Sequence, residues 1–244
     1  MTEYISTMNG YLICESSLHL DREDLRIKLH IKEKSPHLDE LEHLVAEAER
    51  IGRPKAYYRL GFIEEIREDR VFIENIYFKS KVLSVNLNGI QRVFAYLATC
   101  GRELDEWSSR FDDLLMSFWA DAVKEAALGA VYLAMGSHLQ DMYRPGNTSS
   151  MNPGSLEDWP LTEQEQLFAL LGEGAERTGV RLTESYLMIP NKSVSGLLFP
   201  TESDFHSCQL CPRELCPNRR APYDPGLAAQ KYDLKAAGTD SLEN

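Results

Sequence analysis

The chain has 244 residues, 43% hydrophobic and 26% charged, a composition typical of a soluble globular protein with a sizeable core. Its 38 acidic and 26 basic residues give a formal charge of −12, which disfavours nucleic acid and anionic lipid as partners and favours a basic protein or a neutral or zwitterionic small molecule. No apolar run is long enough to span a bilayer and the start lacks the basic and apolar regions of a signal peptide, so we expect a cytoplasmic protein with no membrane partner.

The first clear helix follows Ser35 and Pro36. Ser35 can cap this helix, Pro36 suits its first turn, and Gly52 ends it. Its apolar residues recur at helical spacing with acidic residues between them, which predicts an amphipathic core helix: Leu38, Leu41, Leu44, Val45, Ala48 and Ile51.

Strand patterns occupy the next part of the chain. The segment RVFIENIYF (70–78) has β-branched and aromatic residues among charged ones and predicts one strand. The segment VFAYLATCG (93–101) is almost continuously apolar and predicts another. Between them, KVLSVNLNG (81–89) is a candidate third strand that closes on an Asn-Gly turn.

The second half of the chain alternates helix, loop and strand patterns. Residues 143–160 contain two Pro-Gly pairs and no periodicity, which indicates a long loop of the kind that often carries function. Residues 161–180 predict a helix with a Thr162–Glu165 capping box, and 182–190 and 191–199 each predict a strand. Before the loop, a long helix is predicted from Asp112 to Leu139, with an apolar face of Leu115, Phe118, Trp119, Val123, Ala126, Ala130 and Leu133.

Three segments of the chain have more specific patterns. The segment GVRLTESYLMIPNKSVSGLLF (179–199) is similar to G-x-x-L-T-E-S-x-x-M-x-P-x-x-S-V-S-G, a highly specific pattern of the activation domain of cobalamin-dependent methionine synthase. The segment ADAVKEAA (120–127) resembles its long helix, where A-D-x-x-x-E-A recurs, and YRPG followed by NPGSLEDWPLTEQEQLF resembles its Arg–Pro-Gly loop and the helix after it. The resemblance covers roughly residues 90–200 in the family's order.

The resemblance implies one curved α+β domain, a twisted antiparallel sheet flanked by helices, over residues 1–220, with a tail at 221–244. It also implies binding of S-adenosylmethionine, whose methyl group restores an inactive corrinoid cobalt when a flavoprotein supplies an electron. The chain is too short for homocysteine, folate and cobalamin modules and has no D-x-H-x-x-G cobalt-ligand signature. We therefore expect the corrinoid to be carried by a separate methyltransferase.

The family's ligand contacts map onto several positions. Glu125 matches the helix glutamate that contacts S-adenosylmethionine, and a carboxylate suits a cationic group, although a solvated helix acid is the alternative. Asp121, one turn earlier, would share its face. Arg144 matches the arginine that suits the methionine carboxylate, with Pro153 and Gly154 allowing close backbone approach. This loop departs from the compact family pattern R-x-x-P-G-Y, because the second Pro-Gly pair lies eight residues after the first and Ser155 replaces the aromatic residue.

The segment NKSVSG (191–196) matches the family's most regular motif. Ser193, Ser195 and Gly196 are therefore candidates for close approach to a ligand or to the corrinoid partner, and a plain structural turn is the alternative. No His base is placed near either serine by a motif, so we do not expect serine nucleophilic catalysis.

A cysteine cluster follows these motifs and is not part of the family pattern. Cys208, Cys211 and Cys216 have the spacing C-x2-C-x4-C, which lets neighbouring thiolates bend onto one metal, and His206 is a candidate fourth ligand. An iron–sulfur cluster, a zinc ion, and free or redox-active thiols all remain open. Nearby arginines, Arg213, Arg219 and Arg220, would favour thiolates in each case.

Two functions other than reactivation of a corrinoid protein remain open. The chain could be a metal-cluster electron-transfer protein that reduces a corrinoid partner without S-adenosylmethionine. Alternatively, it could be a non-catalytic binding module in which zinc staples the C-terminal segment. Binding of S-adenosylmethionine would separate the first function from both alternatives.

Overall fold

The computed structural model of the protein describes residues 2–202, 205–216 and 219–233. The predicted α+β fold, an antiparallel sheet flanked by helices, is confirmed. Within the described residues no helix combines the length and apolar character that crossing a membrane requires. In chain order the elements are β1 (Thr2–Ser6), β2 (Tyr11–Glu15), α1 (Arg22–Lys28), α2 (Leu38–Ile51), β3 (Lys55–Arg67), β4 (Arg70–Ile73), β5 (Ile76–Lys79), α3 (Lys81–Asn86), β6 (Arg92–Thr99), α4 (Arg102–Ser108), α5 (Leu114–Tyr143), β7 (Thr148–Met151), α6 (Gln164–Leu171), α7 (Glu173–Thr178), β8 (Arg181–Leu182), β9 (Met188–Ile189), β10 (Ser193–Pro200) and α8 (Leu227–Tyr232).

Eight strands form one sheet with the order β1-β2-β3-β6-β10-β7, and the β4–β5 hairpin continues from β3. The pairs β1–β2, β2–β3, β3–β4 and β10–β7 are antiparallel. Strands β8 and β9 form a separate two-stranded sheet. The chain divides into two compact units, each assembled from three separate segments.

Unit 1 comprises residues 1–59, 96–144 and 171–194. Its core lies where α1, α2 and α4 pack on the first half of α5, and it includes the fully buried Val45, Ala48, Leu104 and Val123. The predicted helix at 36–51 is confirmed as α2, although it begins after His37 and not at Ser35. Gly52 follows its last turn, as predicted.

Unit 2 comprises residues 60–95, 145–170 and 195–244, of which the described part contains the β4–β5 hairpin, α3, β7, α6, α8 and most of β10. Phe78 on β5 and Trp159 pack edge to face with ring centroids 6.2 Å apart, and both are fully buried. Tyr232 on α8 donates to Asn86 Oδ1 at 2.9 Å, so the first part of the predicted tail is a packed helix. Residues 234–244 of that tail lie outside the described residues.

Two strand predictions were wrong in detail. The single strand predicted at 70–78 is a hairpin, because Glu74 and Asn75 both have positive φ values, 51° and 64°, and reverse the chain. The strand predicted at 81–89 is helix α3. Ser80 caps α3 through Leu83 N at 2.9 Å, and Asp158 accepts from the first two amides of that helix, at 3.1 and 2.9 Å.

The apolar face predicted for the long helix was partly wrong. Helix α5 is confirmed, with Asp113 capping it, and Trp119 and Val123 are buried as predicted. However, Phe118 and Leu133 are 61% and 73% exposed. The helix is apolar on several faces, so periodicity alone cannot select the buried one.

Three later elements also differ from their predictions. The helix predicted at 161–180 is broken at Gly172, which has φ 57°, and it starts with a 3-10 turn after Pro160, without the predicted side-chain cap. The segment predicted as one strand at 182–190 lies in the β8–β9 hairpin. Within the predicted loop, β7 pairs with β10, which was itself predicted.

Candidate functional site

Glu125, the predicted contact for a cationic ligand, lies on α5 and already faces two lysines of unit 1. Its carboxylate is 3.0 Å from Lys28 Nζ and 4.0 Å from Lys192 Nζ. The side chain remains 36% exposed, so solvent and ligands can reach it. A cation that binds here must share the carboxylate with these ammonium groups or displace one of them.

Asp121 lies one turn before Glu125 and binds the same lysine. Lys192 Nζ is 2.7 Å from Asp121 Oδ2, so one ammonium group bridges the two carboxylates. The prediction that Asp121 and Glu125 share a helix face agrees with this bridge. The two acids are partly exposed, and a ligand carrying positive charge can bind them in competition with Lys192, which both acids share, and with Lys28 and Lys124.

Lys124, which the motif analysis passed over, is buried beside these acids with only 6% of its side chain exposed. Its ammonium group lies 3.1 Å from Asn191 Oδ1, 3.5 Å from Asp105 Oδ1 and 3.7 Å from Asp121 Oδ1. A buried ammonium requires such partners. Lys124 therefore holds the segment before β10 against α5, and the sequence gives no distinct signal for it, because it lies between the acids Asp121 and Glu125 like an ordinary charged helix residue.

Cys100 is a buried residue that is hydrogen-bonded to the backbone of Lys192. Its backbone N–H donates to the Lys192 carbonyl at 2.9 Å, and its thiol is fully buried. Burial raises the pKa of Cys100 to about 12, although the nearby Lys124 charge acts in the opposite direction. The thiol is therefore protonated near neutral pH and is not a nucleophile there.

Arg144 lies at the other end of the same helix. It ends α5 in a left-handed conformation, φ 45°, and its amide donates to the Gln140 carbonyl at 3.0 Å. At a rise of 1.5 Å per residue, Glu125 and Arg144 are about 28 Å apart along α5. In this conformation one small ligand cannot contact both residues.

An aromatic cluster that the motif search did not identify lies near this end of α5. His138 stacks on Tyr4 with ring centroids 4.5 Å apart and meets Tyr11 edge to face at 5.0 Å. The Tyr58 hydroxyl lies 2.8 Å from His138 Nδ1. Burial lowers the pKa of His138 and raises that of Tyr58, so both groups are held neutral.

Pro153 and Gly154 form a tight turn in unit 2. Ser155 N donates to Asn152 O at 3.1 Å, and Gly154 has φ 84°, the arrangement of a type II turn with proline second and glycine third. A Cβ at Gly154 would lie 3.0 Å from Leu161 Cδ1. The turn itself therefore requires this glycine, whether or not a ligand approaches.

The two motif serines have partners inside the protein. Ser193 donates to the Pro190 carbonyl at 2.8 Å, and its Oγ lies 2.9 Å from Thr99 Oγ1. Ser195 is buried and donates to Gln164 Oε1 at 2.8 Å. Gly196 follows it as a buried residue of β10. These contacts give each hydroxyl a structural role at the start of β10.

The cysteine segment folds around Arg219. The guanidinium group donates to the carbonyls of Cys208 at 3.0 Å and Cys211 at 3.2 Å, and Arg220 N lies 3.4 Å from Cys208 Sγ. Cys208, Cys211 and Cys216 are free and partly exposed, and His206 precedes a 3-10 turn at Ser207–Leu210. Among the described residues, no three His, Cys, Asp or Glu side chains are grouped closely enough to hold a metal.

Comparison with known proteins shows which family and which solved structure the chain resembles. Residues 154–216 match the family model of the vitamin B12 dependent methionine synthase activation domain. The crystal structure of the MetH reactivation domain bound to AdoHcy is similar to the chain with a TM-score of 0.57 and 18% identity, over 79% of this chain and 80% of that one. The chain has the fold of the MetH reactivation domain. The resemblance inferred from the sequence motifs is thus confirmed, and no curated protein sequence matches the chain.

The family match covers only part of the candidate residues on this reactivation-domain fold. Gly154, the β10 motif and the cysteine segment through Cys216 lie inside the matched range. Glu125, Arg144 and Pro153 lie outside it. The assignment of all these residues, inside and outside the matched range, as ligand contacts stays a prediction.

Proposed function

We propose that this protein reactivates a corrinoid methyltransferase partner by S-adenosylmethionine-dependent reductive methylation of its inactive cobalt centre. The observation that carries the proposal is the activation-domain match at residues 154–216 within the fold of a reactivation domain that binds AdoHcy. AdoHcy is what remains of S-adenosylmethionine after its methyl group has left. A flavoprotein is the proposed electron source, and the corrinoid is carried by the partner chain.

The acids of α5 support binding of a cationic methyl donor. Asp121 and Glu125 present carboxylates that are 45% and 36% exposed, and either can accept charge-assisted hydrogen bonds from an α-amino group or face a sulfonium. Lys124 positions the segment that carries Lys192 beside them. S-adenosylmethionine supplies the methyl group, and one external electron balances its transfer to the oxidised cobalt.

The role of this chain in such a reaction is to hold the donor in place. No proton transfer is needed, and the neutral Cys100 and the bonded Ser193 and Ser195 agree with a site that does no covalent chemistry of its own. Positioning of two reactants contributes on the order of 7–11 kcal/mol in favourable cases. Arg144 is too far along α5 to join Glu125 on the same donor molecule.

Electron transfer by a metal cluster is the second candidate function. Its support is the spacing of Cys208, Cys211 and Cys216 and the backbone N–H directed at Cys208 Sγ, a feature that tunes bound thiolates in metal sites. His206 stays the proposed fourth ligand. The described geometry does not gather these groups around one point, so no reaction step is assigned to iron–sulfur or zinc.

The deciding experiment is calorimetric titration of the anaerobically purified protein with S-adenosylmethionine. We expect micromolar binding, weakened by about 1.5–3 kcal/mol in Glu125→Gln because a charged hydrogen bond is lost. Asp141→Asn, an exposed acid near the far end of α5, is the matched control and should bind as the unchanged protein does. Absence of binding at millimolar ligand would refute the proposal and leave the electron-transfer function.

A further inference from the structure

The cysteine segment contains one hydrogen-bonded turn that carries two thiols. Cys211 N donates to the Cys208 carbonyl at 3.3 Å, which closes the last turn of the 3-10 helix Ser207–Leu210. In a 3-10 turn, residues three apart lie one above the other, about 6 Å from each other. Disulfides form between residues whose Cα atoms are about 4.4–6.8 Å apart. The backbone therefore brings Cys208 and Cys211 within the range of a disulfide.

Hydrogen bonds from outside the turn hold it in this geometry. The Arg219 guanidinium group donates to the Cys208 carbonyl at 3.0 Å and to the Cys211 carbonyl at 3.2 Å. Between the two cysteines, the Gln209 carbonyl accepts from Asp224 N at 2.9 Å. Cys208 and Cys211 themselves are free and partly exposed, so small reagents can reach both thiols.

This arrangement meets the requirement of a disulfide but not that of a metal site. A metal ion needs three or four donor atoms around one point, whereas a disulfide needs only two sulfurs. Over residues 2–202, 205–216 and 219–233, no three His, Cys, Asp or Glu side chains are grouped in that way. Cys216 follows Cys211 by five residues and lies beyond the hydrogen-bonded turn. The spacing of Cys208 and Cys211, with two residues between them, is that of known redox-active dithiols.

We propose that Cys208 and Cys211 are a redox-active pair that forms a reversible disulfide by exchange with a small-molecule disulfide. One sulfur of the pair attacks the small disulfide, forms a mixed disulfide with it and releases a first thiol. The other sulfur attacks this mixed disulfide, which closes the Cys208–Cys211 bond and releases a second thiol. The pair thereby loses two electrons and two protons, and the small disulfide is reduced to two thiols.

The bond would act as a reversible modification and add little as a structural crosslink. It closes a very short loop, which restricts the unfolded chain less than a crosslink over a long loop does. The bonds from Arg219 and Asp224 already fix the turn when the thiols are reduced. Reduction should therefore leave the folded structure in place.

The pair does not depend on the proposed methylation function. Its two cysteines belong to unit 2, whereas Asp121 and Glu125 belong to unit 1. A dithiol also gives up two electrons, whereas the proposed methylation takes one. Failure of S-adenosylmethionine to bind would thus leave this inference untouched, and failure of the disulfide to form would leave the methylation proposal untouched.

The test uses the full chain, purified anaerobically and incubated in buffers of reduced and oxidised glutathione. Free thiols are then blocked with N-ethylmaleimide, and tryptic peptides are weighed by mass spectrometry. Trypsin cleaves after Arg213, so residues 193–213 carry both cysteines of the pair and residues 214–219 carry Cys216. As oxidised glutathione increases, we expect the first peptide to lose two hydrogens and to stop reacting with N-ethylmaleimide. Dithiothreitol should reverse both changes.

Single substitutions separate this pair from general thiol reactivity. Cys208→Ser and Cys211→Ser should each abolish the internal bond and leave the remaining thiol of the turn as a mixed disulfide with glutathione. Cys216→Ser is the matched control and should oxidise as the unaltered protein does. Melting temperatures show whether the variants fold, and the mass of the unaltered peptide decides the question without them.

Three results would overturn the proposal. The first is a peptide 193–213 that takes up glutathione or N-ethylmaleimide but never loses two hydrogens. The second is a crosslink from this peptide to Cys216 in place of the internal bond. The third is zinc or an iron–sulfur cluster that is bound in the purified protein and is lost in both Cys208→Ser and Cys211→Ser, because the thiols would then be metal ligands.

Discussion

Lys192 offers a sharp test of where a cationic ligand binds, because removal of this lysine should increase affinity. In Lys192→Met, Asp121 loses its partner at 2.7 Å and Glu125 loses the weaker of its two cations, at 4.0 Å. Glu125 then keeps only Lys28, at 3.0 Å, and Asp121 keeps only Lys124, at 3.7 Å, so a cationic ligand meets one competing cation fewer at each carboxylate. Loss of a lysine that had no part in the site would leave affinity unchanged.

The size of the effect follows from distance and exposure. Two unit charges 4 Å apart interact by about 1 kcal/mol in water and about 4 kcal/mol near a protein surface. Lys192 is 25% exposed and the acids 36% and 45%, so solvent screening brings the net value towards the surface-pair range of about 0.2–1 kcal/mol. We expect S-adenosylmethionine to bind Lys192→Met about two- to fivefold more tightly.

Calorimetry with two ligands makes this test specific. AdoHcy lacks the sulfonium charge, so its affinity should rise less than that of S-adenosylmethionine if the sulfonium faces these acids. Lys34→Met, at an exposed lysine of unit 1, is the matched control. The reasoning fails if Lys192→Met binds S-adenosylmethionine no more tightly than the control does, while the unaltered protein binds it well.

Further predictions concern the fold and its buried groups. Gly174→Ala should lower the free energy of unfolding, measured in urea, by about 1–3 kcal/mol or more, because the added Cβ would lie 2.1 Å from the buried Tyr57 ring. Gly129→Ala should instead raise the free energy of unfolding by about 0.5–1 kcal/mol, because a Cβ at that position would have no atom within 4 Å. Equal effects of the two substitutions would contradict this packing. Iodoacetamide at mildly alkaline pH should leave Cys100 unmodified by mass spectrometry until urea unfolds the chain, because burial raises its pKa to about 12; rapid labelling of the native protein would disprove this. Burial lowers the pKa of His138, so the unfolded chain binds more protons than the folded chain does as pH falls. The contribution of the neutral, buried His138 to stability is therefore complete above the ordinary histidine pKa of about 6.5 and is lost as pH falls through the lowered pKa. Urea unfolding should therefore show a smaller loss of stability on acidification in His138→Phe, and identical pH profiles would rule this contribution out.

The sequence predicted elements well where local signals sufficed. Helix α2 has a clear helical periodicity and is followed by Gly52, whereas strand β6 is an almost continuous apolar run that ends shortly before Gly101; both elements are present. Helix α3 was missed because one of its caps, Asp158, comes from a distant part of the chain. The β4–β5 turn was missed because Glu74 and Asn75 adopt positive φ without the glycine that usually indicates such a turn.

The sequence predicted which residues could belong to the candidate site, but not the distances and contacts between them. The spacing of Asp121 and Glu125 predicted a shared face, and Lys192 bridges them there. The separation of Glu125 from Arg144 required knowledge that both lie on one uninterrupted helix, whose predicted end at Leu139 was too early. Lys124 could not be identified from local pattern, because its burial depends on Asn191 and Asp105.

The interleaving of the two units limits how this protein can be divided or recombined. Residues 154–216, the range that the family model recognises, begin in unit 2, pass through unit 1 at 171–194 and return to unit 2. A fragment trimmed to that range would carry incomplete pieces of both units and could not fold as either. Gene fusion or domain transplantation must therefore move the chain as a whole, and a single protease cut in a linking segment would not release an intact unit.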